Sequence, residues 1–515
     1  MDAAPALHLG RVDAGDGTVM TTSPKKSLVE PGFADATRFE VFLRLFAAFA
    51  IIHTFIGVRD WAAKGSVSIV ATLVALFAGA LVITKPSSSR RVATMAAAML
   101  VVEINMMPYT PNHVLVTSLI AGVLLVAALQ GLRRADWTAA AAKSVGPAIR
   151  VGLVTVYGFA VLHKLNADYF DPEVSCGPYL HRQLKTFLPF IPIGEWVNWP
   201  TLIGSLVIEL ALGVLLLVRR TRMLAIAGGL LFHGLLAFHV NGYVMSFSVL
   251  IMPLYALFVP LAFYRRIADV VDLVAAKLPA MILTWLRLVP LCGVALGVGY
   301  FAFRVAAHDQ PDIAAAAARA ADSIRGTPRA VAVLFIFAGS AIFYLPLLRR
   351  PSSIFDADEA DAHAPRWPAA GLFALLTFNG LCPYLGFKTQ TSFSMFSNLR
   401  TELGETNHFF MPSLTLSEKT ADMVAVHEST HWKLQLMADA GELIPFFELQ
   451  RYAAHDPDFT VSYTPWGETD PIFASRDGSS DPRGDQVFDT PPLLLRKVIG
   501  FRSVPPPDEP CTCRH

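Results

Sequence analysis

The chain has 515 residues, of which 54% are hydrophobic and only 16% charged, with a mean hydropathy of +0.47. Soluble domains carry about 25% charged residues, so the composition excludes an ordinary soluble protein and defines an integral membrane one whose first partner is the lipid bilayer. A formal net charge of +1 excludes a nucleic-acid partner, because no surplus of basic groups exists to release counterions.

Residues 1–37 hold no apolar core ahead of a small-residue cleavage site, so no cleavable signal peptide is predicted and the segment reads as a disordered polar tail. A bilayer core takes about 20 apolar residues per helix, and about eleven stretches meet that rule. They run near Phe39–Val58, Val67–Thr84, Val92–Pro108, His113–Leu132, Pro147–Leu165, Trp199–Val218, Met223–Val240, Tyr243–Tyr264, Met281–Arg304, Ala330–Leu348 and Pro368–Phe387. The predicted fold is an all-α polytopic membrane protein: a principal bundle over 38–264, further membrane helices over 265–388, and a small extracytoplasmic α+β domain over 389–515.

Basic residues set the orientation, since they collect on cytoplasmic loops. Lys85, Arg90 and Arg91 follow the second stretch, Arg133, Arg134 and Lys143 the fourth, Arg219, Arg220 and Arg222 the sixth. Arg265, Arg266 and Lys277 follow the eighth, and Arg349 and Arg350 the tenth. The loops after the third and seventh carry no Lys or Arg. The amino terminus, with Lys25 and Lys26, is therefore expected in the cytoplasm and the chain after Phe387 outside, as a multi-pass cell-membrane protein.

That topology puts several ionisable residues at one depth. Lys164 and His239 end the fifth and seventh stretches on the outer side, His53 and Glu103 lie in outer halves, and His113 opens the fourth stretch. Ionisable residues inside spans line a bundle interior or cavity, which predicts a polar pocket open to the outside. The other reading is that each one snorkels or satisfies a neighbour, as Lys164 would with Asp168 at i+4. Between Phe170 and Trp199 a run rich in proline and aromatics reads as an interfacial lid, with Phe187 to Ile193 on the membrane surface.

Past Phe387 the chain turns polar. Thr389 to Pro412 reads as an interfacial segment, Met423–Val426 and Phe459–Tyr463 as strands, Leu434–Ala440 and Pro445–Ala454 as helices, and Leu493–Val498 as a last short strand or helix. His427-Glu428-Ser429-Thr430-His431 spells the H-E-x-x-H of zinc metalloproteases, which works only when a helix sets the two histidines on one face. Met423-Val424-Ala425-Val426 before it favours a strand, and Ser429-Thr430 is a poor helix interior, so no metal site is expected there. The five cysteines (Cys176, Cys292, Cys382, Cys511, Cys513) are too few and scattered for a disulfide framework, and the tail Cys511-Thr512-Cys513-Arg514-His515 reads as disordered.

Tyr157-Gly158-Phe159-Ala160-Val161-Leu162-His163-Lys164-Leu165-Asn166-Ala167-Asp168-Tyr169 resembles the active-site segment of vitamin K-dependent gamma-glutamyl carboxylase, an aromatic-rich span ending in Lys-Lys-Leu-Asp-Ala-Asp-Trp. Phe238-His239-Val240-Asn241-Gly242-Tyr243 and the helix after it resemble that family's Phe-His-x-x-Asn segment. Together they are similar to the horizontally transferred transmembrane (HTTM) domain, over roughly Arg38 to Tyr264. The resemblance implies a lysine base at Lys164 that deprotonates a reduced quinone, whose anion reacts with O2 to form an alkoxide able to take the gamma proton of a glutamate before CO2 adds. His239 would then bond the quinol oxygen or developing oxyanion, and His163, Asn241, Glu103 and His53 are the candidate cofactor-binding residues. A neutral amine is what this chemistry needs, and burial disfavours an ammonium. This chain departs from the family in having His163 for the first lysine, Asn166 for an acid, and a tail too short for a propeptide-binding region. A peptide or protein substrate on the outer side is therefore one reading. The other is a non-catalytic membrane helper for maturation or export of a peptide.

Overall fold

Apolar length decides which segments span. The computed structural model describes residues 31–62, 64–267, 279–306, 326–355, 367–394 and 396–513. All the predicted stretches are helical in it: α1 (Pro31–Ile56), with a short α2 (Val58–Ala62) after it, α3 (Ser66–Thr84), α4 (Ser89–Met106), α5 (Asn112–Gln130) and α6 (Trp137–Leu162). After α7 (Cys176–Leu184) come α8 (Glu195–Leu217), α9 (Arg222–Leu236), α10 (Gly242–Ala256), α11 (Ala280–Ala306), α12 (Gly326–Arg349) and α13 (Trp367–Leu385).

Among the described residues seven of these are long and apolar enough to cross a bilayer, or eight if a bent pair counts as one span, fewer than the expected eleven. The reasons are specific. α9 and α10 have 15 residues each, a rise of roughly 22 Å against a hydrocarbon core of about 30 Å. α10 is followed by a short helix, Leu261–Ile267, bent from it by 108°. α4 carries Arg90, Arg91 and Glu103 within 18 residues. At the amino end, the helix begins at Pro31, inside the segment expected to be a disordered tail, and residues 1–30 lie outside the described residues.

α1 is the axis of the core. Phe39, Phe42, Phe46 and Phe49, all fully buried, recur at helical spacing and stack in sequence with ring centroids 5.5, 5.6 and 5.8 Å apart. His53 continues the stripe, stacked on Phe49 at 5.4 Å. The same face meets α3, α6, α10 and α12. The basic loops share one end of the bundle: Trp137 Nε1, beside Arg133 and Arg134, donates to the Ser87 carbonyl at 2.5 Å, beside Arg90 and Arg91.

At the other end sits the C-terminal domain. β1 (Met423–Ser429), β2 (Leu443–Pro445), β3 (Thr460–Pro465) and β4 (Ile472–Ser475) form an antiparallel sheet in the order β2-β1-β3-β4. On it pack α14 (Trp432–Asp439) and α15 (Phe446–Ala453), and α16 (Pro482–Gln486) and α17 (Leu493–Val498) follow. The alternating burial of β3 puts Val461 and Tyr463 into a core with Phe459 and Leu434. β2 and β4 were not foreseen from sequence; both are too short, at three and four residues, to show a period of two.

The segment 389–412 is a strap that locks the domain to the bundle. Phe393 N donates to Asn112 Oδ1 at 2.6 Å and Thr391 Oγ1 to the Thr110 carbonyl at 2.5 Å. Five of its non-glycine residues, Thr391, Phe393, Phe396, Asn398 and Leu403, have φ between 54 and 66°, a region that side chains enter only when surrounding bonds hold them. The expected disorder of the last residues is corrected too. Cys511 is buried, and Cys513 forms a disulfide with Cys176 at the start of α7, while 514 and 515 lie outside the described residues.

Candidate functional site

The residues singled out in the sequence fall into separate places. His53 and Glu103 come together. A cavity of about 580 Å³, partly open to the exterior, lies between α1, α2, α4, α5 and the start of α10, lined by His53, Asp60, Trp61, Glu103, Thr110 and Tyr243 among others. His53 Nδ1 is 2.6 Å from Ser246 Oγ, and the His53 ring meets His113 edge-on at 5.3 Å. The Tyr243 hydroxyl donates to Asp60 Oδ2.

Two buried atoms here have no hydrogen-bond partner among the described residues: Glu103 Oε2 and, beside the cavity, His113 Nε2. Glu103 and His113 are 4% and 2% exposed. A buried polar group without a partner costs about 1–3 kcal/mol, and such groups need an explanation, an unplaced ligand being one. The wall thus offers hydrogen-bond acceptors and aromatic faces.

Lys164 is elsewhere. It sits just beyond α6, 6% exposed, where its ammonium pairs with Glu209 of α8 and lies 5.9 Å from the Tyr169 ring centroid. Its partner is Glu209 rather than Asp168. Asp168 Oδ2 instead accepts from Asn407 Nδ2 at 2.7 Å and from Cys511 N at 2.9 Å. Asn166 Nδ2 donates to the carbonyls of His163 and Ser397 at 2.7 and 2.6 Å. His163 contributes to helix packing, its Nε2 3.0 Å from the Gly380 carbonyl of α13 and its ring beside Tyr384. The Lys164 loop is a joint between bundle and strap, with the disulfide across it. Burial there pushes the Cys511 thiol up to about 11.

His239 and Asn241 shape the turn into α10. Asn241 N donates to His239 Nδ1 at 3.0 Å, and Asn241 Oδ1 caps the helix by accepting from Tyr243 N at 2.9 Å, the usual task of an N-cap asparagine. Neither lines the cavity. Sequence reasoning missed three members of a buried cluster: Tyr157 Oη lies 2.8 Å from both His233 Nε2 and Tyr255 Oη. It also missed Glu209 and Asp60. Glu209, an acid inside the apolar run Leu206-Val207-Ile208-Glu209-Leu210, was visible as an intramembrane charge and should have been paired with Lys164. The H-E-x-x-H run starts on β1 and ends at His431, the N-cap of α14, its histidines apart in their contacts: His427 Nε2 is 2.7 Å from Thr464 Oγ1, and His431 packs on Tyr452 with ring centroids 4.6 Å apart.

The fold and its spanning helices define a helical multi-pass membrane protein with a small sheet-bearing domain at one end. In comparisons with protein-family models, curated proteins and solved structures, nothing matches this chain.

Proposed function

We propose that this is a membrane enzyme that holds a reduced, vitamin K-type quinone in the α1–α4–α10 cavity and uses it for carboxylation of glutamate in a peptide or protein at the extracytoplasmic face. The single observation that carries the reading is Glu103, a carboxyl buried on the cavity wall that is bonded by the Ser118 hydroxyl and whose Oε2 has no further partner among the described residues. CO2 and O2 as co-substrates follow from the resemblance alone. When bound, the quinol would supply, with O2, the strong base the reaction needs. The chain's own part is to seat the ring against Trp61 and Tyr243 and to accept hydroxyl protons at Glu103 or His53. The resemblance assigns that base to Lys164. The geometry supports Glu103 and His53 better, because they line the cavity while Lys164 is paired with Glu209.

For sidedness, the basic loops gathered at the end opposite the C-terminal domain support a cytoplasmic amino terminus. The Cys176–Cys513 disulfide supports an oxidising, extracytoplasmic position for that domain. One observation favours the second reading, a non-catalytic helper for peptide maturation or export: a buried, ion-paired Lys164 is what an anchoring residue looks like.

The test is turnover. Full-length protein in nanodiscs, given vitamin K hydroquinone, bicarbonate, O2 and a glutamate-containing peptide, should add one carboxyl group to the glutamate and consume the quinol, and Glu103→Gln should abolish both. Quinol binding without carboxylation would keep the pocket and discard the carboxylase. No binding at all would leave the helper reading.

A further inference from the structure

Three lysines from three separate parts of the chain meet at the end of α4 that faces the C-terminal domain. Lys497 of α17 donates from Nζ to the carbonyls of Ile104, Asn105 and Met107 at 3.3, 3.2 and 3.4 Å. Lys433 of α14 has its Nζ 5.5 Å from the ring centroid of Tyr109, two residues further along. Lys64, exposed in the turn between α2 and α3, is near enough that its charge acts on both of the others. Asp60 also bears on Lys433, but Asp60 Oδ2 is held by Tyr243. Among the described residues none of the three lysines has an ion-pair partner.

Three ammonium groups repel one another, and with Asp60 the one acid that bears on them a surplus of positive charge remains, so the arrangement favours an anion. Its surroundings say which kind. Trp432 and Leu436, at i and i+4 on α14, are 64% and 58% exposed, and Leu494 of α17 is 72% exposed. The cluster is fastened to the end of a bundle helix on the side of the C-terminal domain, and it combines tryptophan with lysine as interfacial anchors do. Basic residues beside an anionic leaflet are attracted to it by an amount that grows with each lysine.

We propose that Lys64 and Lys433 bind the phosphate of an anionic phospholipid in the leaflet under the C-terminal domain, with Lys497, whose three N–H groups are held by the α4 carbonyls, adding its charge, and Trp432, Leu436 and Leu494 seated at the acyl boundary. The site fixes the domain against the bilayer beside the cavity mouth, whose lining includes Asp60 and Thr110. It stands whether or not the cavity takes a quinol.

The experiment uses the full-length protein, delipidated and offered equal amounts of phosphatidylglycerol and phosphatidylcholine, with retained lipid read by native mass spectrometry. Phosphatidylglycerol should be kept in preference. Each Lys→Gln change should lower that preference about fivefold, and the triple Lys→Arg variant should preserve it, which guards against a mere folding defect. Equal retention of the two lipids, or an undiminished preference in the triple Lys→Gln variant, would overturn the proposal. Full displacement of phosphatidylglycerol by inorganic phosphate would reassign the site to a soluble anion, and displacement by a short glutamate-rich peptide would reassign it to an acidic peptide. In the outcome expected, neither displaces it.

Discussion

The cavity under His53 and the joint around Lys164 are both buried, polar and at the same end of the bundle, yet they are built on opposite terms. Around Lys164 the groups nearest the ammonium are matched, the ammonium with Glu209, Asp168 with Asn407 and Cys511, Asn166 with two carbonyls, while His163 Nδ1 and Glu402 Oε1 further along the joint have no hydrogen-bond partner among the described residues. On the cavity side Glu103 Oε2 and His113 Nε2 have no partner among the described residues. Matched polar groups hold elements in place, whereas an unmatched one keeps bonding capacity for something that arrives. The lysine that looks most like an active-site residue is therefore in the wall, and the carboxyl that looked secondary faces the space.

The largest effect that would break this contrast comes from splitting the ion pair. Glu209→Ala should destabilise the protein by about 3–5 kcal/mol, because it strands a buried ammonium. Lys164→Met with Glu209→Leu should recover most of the loss, as read by thermal melting in detergent. If Glu209→Ala melts like the parent, the pair is not structural and Lys164 regains its claim as a base. Next in size is the disulfide. Cys513→Ser should cost about 2–4 kcal/mol, and reductant should lower the melting temperature of the parent but not of the variant.

Glu103→Gln should behave in the reverse way. Stability should stay close to the parent, while affinity for the hydroquinone falls roughly tenfold, the scale of a lost hydrogen bond. A large stability loss with unchanged affinity would show Glu103 to be a wall residue like Lys164. The smallest effect expected is at His431, outside the membrane, where burial holds the imidazole below its usual value of 6.5. Its neutral form is the folded one, so its contribution is intact above about pH 6.5 and is lost as pH falls through that value. His431→Phe should flatten the acid side of a melting-temperature profile between pH 7 and 5 without moving the neutral plateau.

Much of this arrangement was legible in the chain. The helical stretches, the strand under His427, and the grouping of His53 with Glu103 all follow from apolar length, β-branched runs and intramembrane charge. What could not be read was pairing across distance. Nothing local ties Lys164 to Glu209, or Cys176 to Cys513 at a separation of 337 residues. Hydropathy also overstated the spans, because α9 and α10 are apolar throughout but stop short of a bilayer's thickness, and α4 is apolar apart from charges that disqualify it. The strap at 389–412 was opaque for another reason. Its left-handed residues are ordinary Thr, Phe and Leu, whose conformation is imposed by bonds to Asn112 and Thr110 rather than by their own preference.

The central claim is that the ligand sits in the α1–α4–α10 cavity, and a photoreactive quinone analogue tests it most directly. Activated on full-length protein in nanodiscs and mapped by peptide mass spectrometry, it should label the peptides that hold His53 to Trp61 and Val102 to Thr110, less so in Glu103→Gln. Labelling centred on Lys164, Glu209 and Tyr169, with the cavity peptides clean, would contradict the account and return the site to the lysine.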